Sequence, residues 1–177
     1  MQQPARHPMR RFYGQAMQTS MGGLKNAREI GNKILNQWGY SGRRVLGYKL
    51  PGWQRKEKWT DEQCVRFIES IWMGVGLGTF MVNASHDPEL GHILLDGQQR
   101  LRAIERYFDG ELAVTGEDGQ AYCWHDLTRE EHAHFLRIPF PWVETQYKSD
   151  AELRAAYNRH NFGGTPHTED ERASEKE

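Results

Sequence analysis

The chain has 177 residues, 37% of them hydrophobic and 27% charged, enough to bury one core but short for two domains of usual size. It contains no apolar run of about 18 residues and no apolar leader block ending in a small-residue cleavage site, so neither a membrane span nor export is expected, and the expected location is the cytoplasm. The net charge of −1 conceals an asymmetry: residues 1–60 carry +10 and residues 61–177 carry −11. The basic half points to phosphate backbones, bound through counterion release. The plainer alternative is a solvated surface, or a basic half that folds onto the acidic one.

Residues 1–23, with Pro4, Pro8 and Gly22-Gly23 and no clean period, read as a basic, partly mobile arm. Its Arg6, Arg10 and Arg11 are candidate DNA contacts, as are Lys56 and Lys58 further on. Ala27, Ile30, Ile34, Leu35 and Trp38 recur at helical spacing and stop at Gly39. A strand is predicted at Val45–Tyr48. A helix opens at Thr60, with Gln63 completing a capping box, and carries Cys64, Phe67, Ile68 and Ile71 on one stripe before Gly74.

Further strands are expected at Thr79–Val82 and Ile93–Leu95, and a hairpin around Glu117-Asp118-Gly119 that returns through Tyr122–Trp124. Leu101, Ile104, Tyr107 and Phe108 mark a helix directly after Asp96–Arg100. Thr128 with Glu131, and Ser149 with Glu152, signal two more helices, the second carrying Leu153, Ala156 and Tyr157 and ending before Gly163-Gly164. The fold class is therefore α+β, a small mixed sheet with packed helices. A single α+β domain is expected over residues 24–165, and residues 166–177 should form a charged, disordered tail.

Cys64 and Cys123 are the only cysteines and belong to no Cys-x-x-Cys pair. Both read as small buried hydrophobes rather than zinc ligands or a disulfide. His125, His132 and His134 lie close in sequence, but the two-residue spacing of His132 and His134 puts them on different faces of the predicted helix, which argues against a shared zinc. The serine elbow G-x-S-x-G and the P-loop pattern are absent. Gly74-Val75-Gly76-Leu77-Gly78 lacks the flanking strand and helix of a dinucleotide fold and reads as a connector.

Three segments can carry chemistry. The first is the run His92–Leu95 followed at once by Asp96-Gly97-Gln98-Gln99-Arg100. A strand ending in a Gly turn that opens a helix offers backbone N–H groups and a positive dipole end to an anion. Arg100 adds a two-pronged donor for phosphate oxygens, and Asp96 could hold Mg2+ or orient an attacking hydroxyl. The bland reading is a capped turn. The second segment is Leu50–Trp59, with Gln54 and Arg55 between Trp53 and Trp59, suited to a base and a phosphate or, more plainly, an exposed connector with two tryptophans plugging the core. The third is Tyr157–Thr168, where Asn158, Arg159 and Asn161 meet Gly163-Gly164. Asn side chains there usually cap the turn.

Together these segments resemble the signature set of the GmrSD-type N-terminal domain, a DGQQR-motif family of the ParB/sulfiredoxin-like superfamily. Gln54, Arg55 and Trp59 match its QR-x-x-x-W segment, Leu95 to Arg100 its [IV]DGQQR turn, and Asn158 to Pro166 its N-R-x-N-x-G-G-T-P segment. The resemblance spans about residues 45–168, in the same order. It implies a nucleotide pocket at the turn, with NTP (ATP or GTP) and Mg2+ as cofactors. It also implies NTP-dependent chemistry directed at DNA, including base-modified DNA, inside a bacterial or phage-infected cell. Phosphoryl transfer needs cations on the phosphates, a carboxylate-held metal and a group that positions the nucleophile. Arg55, Gly97, Arg100, Asn158 and Asn161 are assigned to nucleotide binding, Asp96 to the metal, and Asp96, Arg100, Gln98, Gln99 and Gln54 to catalysis.

No HNH or helical nuclease segment follows within these residues. The expected form is therefore a kinase acting on a hydroxymethylated base, or an NTPase serving a separate nuclease or defence partner. A different class, a non-catalytic ParB-like DNA-binding module or a phage-type interaction protein, is the alternative.

Overall fold

The computed structural model describes residues 12–161, so Arg6, Arg10, Arg11, the late Gly163-Gly164 pair and the expected tail lie outside the described residues. Five helices and eight strands follow in the order β1 (Gln15–Ser20), α1 (Met21–Gln37), β2 (Arg44–Val45), β3 (Tyr48–Lys49), α2 (Asp61–Trp72), β4 (Phe80–Asn83), β5 (Ile93–Asp96), α3 (Gln98–Phe108), β6 (Ala113–Thr115), β7 (Ala121–Cys123), α4 (Arg129–Arg137), β8 (Pro139–Thr145) and α5 (Asp150–Asn161). The class is α+β, as the residue pattern predicts. A six-stranded mixed sheet runs β1-β8-β4-β5-β3-β2, and β6 with β7 makes a separate hairpin.

The helices form where their caps say they should. Thr60 accepts from the Gln63 N–H while the Gln63 side chain accepts from the Thr60 N–H, and Thr128 and Glu131 repeat the pattern before α4. Cys64, Ile68 and Ile71 of α2 face Leu101, Ile104 and Tyr107 of α3 in a core shared with Met21 and Leu24 of α1, Phe135 of α4, and Phe80, Val82 and Leu94 of the sheet. On β5 the two-residue period sends Leu94 into this core and Ile93 and Leu95 into a second one, which α5 covers with Leu153 and Ala156. Helices therefore lie on both faces of the sheet, α5 alone on one. Cys64 is buried and Cys123 half-buried, and neither is in a disulfide.

Three expectations need correction. The arm read as irregular over residues 1–23 instead contributes β1 and the first turn of α1, whose cap is Ser20 accepting from the Gly23 N–H. β1 has no alternating pattern of its own and is held by β8, in register from Gln15 opposite Glu144 to Ser20 opposite Pro139. β8, to which the residue pattern assigns no element, carries Pro139 and Pro141, a residue type confined to strand edges and ends because it cannot donate to the ladder. In the sheet β4 pairs with β8 only from Trp142 onward, so the prolines withhold no donor from β4.

The third correction concerns the strand expected at Val45–Tyr48, which is a tight hairpin turning at Leu46 (φ 45°) and Gly47 (φ 80°). Positive φ at both central residues is what such a two-residue turn requires. Leu46 tolerates it because its side chain is fully buried and its N–H donates to Glu105 Oε1 at 2.9 Å. Gly47 meets α1 backbone to backbone: a Cβ on Gly31 would stand 2.4 Å from the Gly47 carbonyl oxygen.

Candidate functional site

β5 ends at Asp96, Gly97 turns the chain with φ 96°, and α3 begins at Gln98 with no side chain capping its N-terminus. Asp96 is therefore not the helix cap that its position suggests. A Cβ on Gly97 would stand 2.5 Å from Phe80 Cβ, so glycine is required here by both conformation and space. This close turn drives Gln98 and Gln99 inward, where they are only 5% and 8% exposed.

The loop carrying the second motif is tied to this turn. Gln99 Oε1 accepts from the backbone N–H groups of Lys58 (3.1 Å) and Trp59 (3.2 Å), fastening the end of the loop to α3. Trp59 then packs on Phe67, and Trp53 packs edge-on against Tyr157 of α5 at 5.0 Å. Arg43 donates to the carbonyls of Pro51 and Gln54, which leaves the Gln54 side chain buried at 4% exposure. Tyr157 also lies close enough to Arg55 and Asp96 for both to act on its phenol, which burial pushes up. Turn, loop and the end of α5 thus converge.

Within this convergence Arg100 is held rather than extended. Its Nη2 donates to Asp96 Oδ2 at 2.8 Å and to the Thr79 carbonyl, and Gly78, at the end of the glycine-rich connector, lies against its Nη1. Asp96 has a second partner that the sequence reading did not assign: His160 Nε2 lies 3.4 Å from the same Oδ2. Burial alone would raise the Asp96 carboxyl, but the hydrogen bond from His160 and the charges of Arg100 and His160 hold it below its ordinary range. The same contact raises the His160 imidazole. One signal could have found His160, since it extends the buried stripe Leu153, Ala156, Tyr157 by one more helical step.

The pair makes a prediction with a sign. The raised His160 contributes stability that is complete below its unfolded value near 6.5 and is lost as pH climbs through the folded value. The depressed Asp96 contributes above about 3.8 and loses it on acidification. The contact is therefore strongest between these limits. The melting-temperature advantage of the wild type over His160→Gln should be greatest near pH 5 and shrink above neutrality. A difference independent of pH would dissolve the pair.

Not every expected residue turns its side chain to the turn. Asn161 Nδ2 donates to the Tyr157 carbonyl at 2.9 Å, an attachment within its own helix, and Asn158 is half-buried. Lys56 and Lys58 are exposed on the loop. The three clustered histidines go separate ways: His132 Nε2 meets the Trp124 carbonyl, His134 stacks on Trp72, and His125 lies against Gly110. Among the described residues no group of three or more His, Cys, Asp or Glu is placed to hold a metal ion.

The decisive electrostatic feature is a deficit. Among the described residues the buried side-chain nitrogens and oxygens without a hydrogen-bond partner are Gln54 Oε1, both amide atoms of Gln98, Gln99 Nε2 and Arg100 Nε. All belong to the motif residues. Buried polar atoms in native proteins are nearly always paired, and one left unpaired costs about 1–3 kcal/mol. Among the described residues the whole deficit is concentrated at this turn and the loop fastened to it.

A scan against family models matches residues 32–175 to the GmrSD restriction endonuclease N-terminal domain. The chain belongs to this family. The match covers most of the chain and runs through all three motif segments, from within α1 to beyond α5. GmrSD_N membership makes this a restriction-system-related domain. No curated protein and no solved structure gives a significant match. Among the described residues no helix is long and apolar enough to cross a membrane.

Proposed function

We propose that this GmrSD-type domain binds a nucleoside triphosphate at the Asp96–Arg100 turn and transfers or hydrolyses its terminal phosphate in association with DNA. The unpartnered polar atoms of Gln54, Gln98, Gln99 and Arg100 carry the reading. They offer donors and acceptors together, which suits a ligand with both, and they sit beside a helix N-terminus that no side chain caps. Gln98, with neither amide atom engaged, is the residue committed to the ligand, and Gln99 orders the loop that brings Gln54 and Arg55.

A divalent ion would find one carboxylate here, Asp96, with the rest of its shell from phosphate and water, an arrangement usual for Mg2+. Its contribution would be to neutralise phosphate charge. Arg100 would add a fixed cation, and its unengaged Nε is a donor still to be satisfied. DNA association rests on family membership and on the +10 charge of residues 1–60, to which the exposed Lys56 and Lys58 contribute.

Gln98→Leu tests the reading with opposite signs in two measurements. Removing an unpaired buried amide should leave the melting temperature of the free protein unchanged or higher. The same change should cost binding of ATP or GTP, titrated with Mg2+, about tenfold or more. A variant that melts lower yet binds as the wild type would make Gln98 structural. Nucleotide binding without phosphate release, with and without hydroxymethylated DNA, would favour a non-catalytic sensor.

A further inference from the structure

The Gly74–Gly78 connector between α2 and β4 runs beside the Asp96–Arg100 turn without being part of it. Arg100 joins the two. A Cβ on Gly78 would stand 3.3 Å from Arg100 Nη1, and a Cβ on Gly97 3.5 Å from Nη2, so the guanidinium lies against one glycine from each segment. Both are left-handed, with φ 67° at Gly78 and 96° at Gly97. The connector continues into Thr79, whose carbonyl accepts from the same Nη2.

Glycines cost chain entropy on folding, and the protein's own backbone accounts for two of the three here. Gly74 follows the last turn of α2 with φ 74°, and Gly78 is left-handed in its turn. Gly76 has no such reason: its φ is not positive, and a Cβ on it would meet nothing within 4 Å. Glycine there leaves room for a close approach to the backbone that no protein atom makes. The same stretch holds unused donors. Gly74 and Val75 donate to the Ile71 and Ser70 carbonyls, and Leu77 packs on the main core. The N–H groups of Gly76, Leu77 and Gly78 have no hydrogen-bond partner among the described residues, and neither has Arg100 Nη1.

No side chain from Gly74 to Gly78 is polar, so the backbone is the whole chemistry of this segment. Successive backbone N–H groups in a turn make a seat for an anion, and an adjacent guanidinium strengthens it with a charged donor. We propose, resting on the nucleotide reading of the Asp96–Arg100 turn, that Gly76–Gly78 is the second wall of the phosphate site. Its N–H groups and Arg100 Nη1 take the terminal phosphate, while the turn holds the rest of the triphosphate chain. A nucleoside monophosphate, held at the turn alone, leaves these donors in water.

Calorimetric titration of the full chain with ATP and GTP in the presence of Mg2+, each against its monophosphate, tests this. Gly76→Pro removes one N–H donor where there is space for the added carbons. It should weaken binding of whichever triphosphate the wild type takes about tenfold or more, the loss of a hydrogen bond to a charged group, and change AMP and GMP binding little. Gly76→Ala keeps the donor and should lose less than Gly76→Pro. Amide hydrogen exchange on the wild-type chain reports without any substitution, so the test survives a proline variant that folds poorly. The N–H groups of residues 76–78, exposed or half-buried and unpaired, should exchange fast in the free protein. They should slow with the triphosphate and not with the monophosphate. Protection of residues 96–100 by the triphosphate with none at 76–78, or a folded Gly76→Pro with wild-type triphosphate affinity, would overturn the proposal and leave the nucleotide reading standing. A wild-type chain that binds neither ATP nor GTP would overturn both.

Discussion

Arg100→Ala is expected to lower phosphoryl transfer or NTP hydrolysis about 10²–10³-fold, the effect of removing one fixed electrostatic contact to developing charge. The fold should survive, because alanine suits the first turn of α3 and the Arg100 side chain is one-quarter exposed. Its present bonds, to Asp96 and to the Thr79 carbonyl, hold the guanidinium still rather than bury it. Losing them also leaves Asp96 with His160 as its remaining cation. Steady-state turnover and thermal melting should therefore be measured on the same samples, with Arg100→Lys alongside. Lysine keeps the charge but not the fork, so partial recovery would assign the role to charge, and none to geometry. Turnover equal to wild type in Arg100→Ala would remove Arg100 from the site.

Gly97→Ala should be strongly destabilising. Alanine at φ 96° carries backbone strain of about 1–3 kcal/mol. Its methyl would meet Phe80 at 2.5 Å, and overpacking of this kind costs about 1–3 kcal/mol more. Phe80 cannot retreat, since it is packed against Phe140, Trp142 and Tyr48. For a chain of this size a loss of that order lowers the melting temperature by roughly 5–20 °C. Nucleotide binding should fall with it, because the turn that buries Gln98 and Gln99 would have to move. A melting temperature within about 2 °C of wild type would mean that the turn is more adaptable than its packing implies.

The motif turn was legible as strand, glycine and helix because each step is local. Val45–Tyr48 was less so: two short strands and a two-residue turn share a run that reads as one strand, and only the buried Leu46 and the α1 backbone against Gly47 reveal the reversal. His160 was visible as a residue but not as a partner of Asp96. The two are far apart in sequence and meet only because α5 packs on β5.

What the sequence determined alone are the features whose energy lies within a few residues. Capping boxes at Thr60 and Thr128, the apolar stripes of α2 and α3, and the glycine that opens α3 are all set by local hydrogen bonds and side-chain periodicity. The tertiary structure decided what local energy leaves undetermined. β1 and β8 lack a strand pattern of their own and become strands because each completes the other's backbone hydrogen bonding across more than a hundred residues. The unpaired amides arise in the same way. Gln54, Gln98 and Gln99 are ordinary polar residues in the chain, and only packing withdraws them from water while leaving Gln54 Oε1, both amide atoms of Gln98 and Gln99 Nε2 without partners.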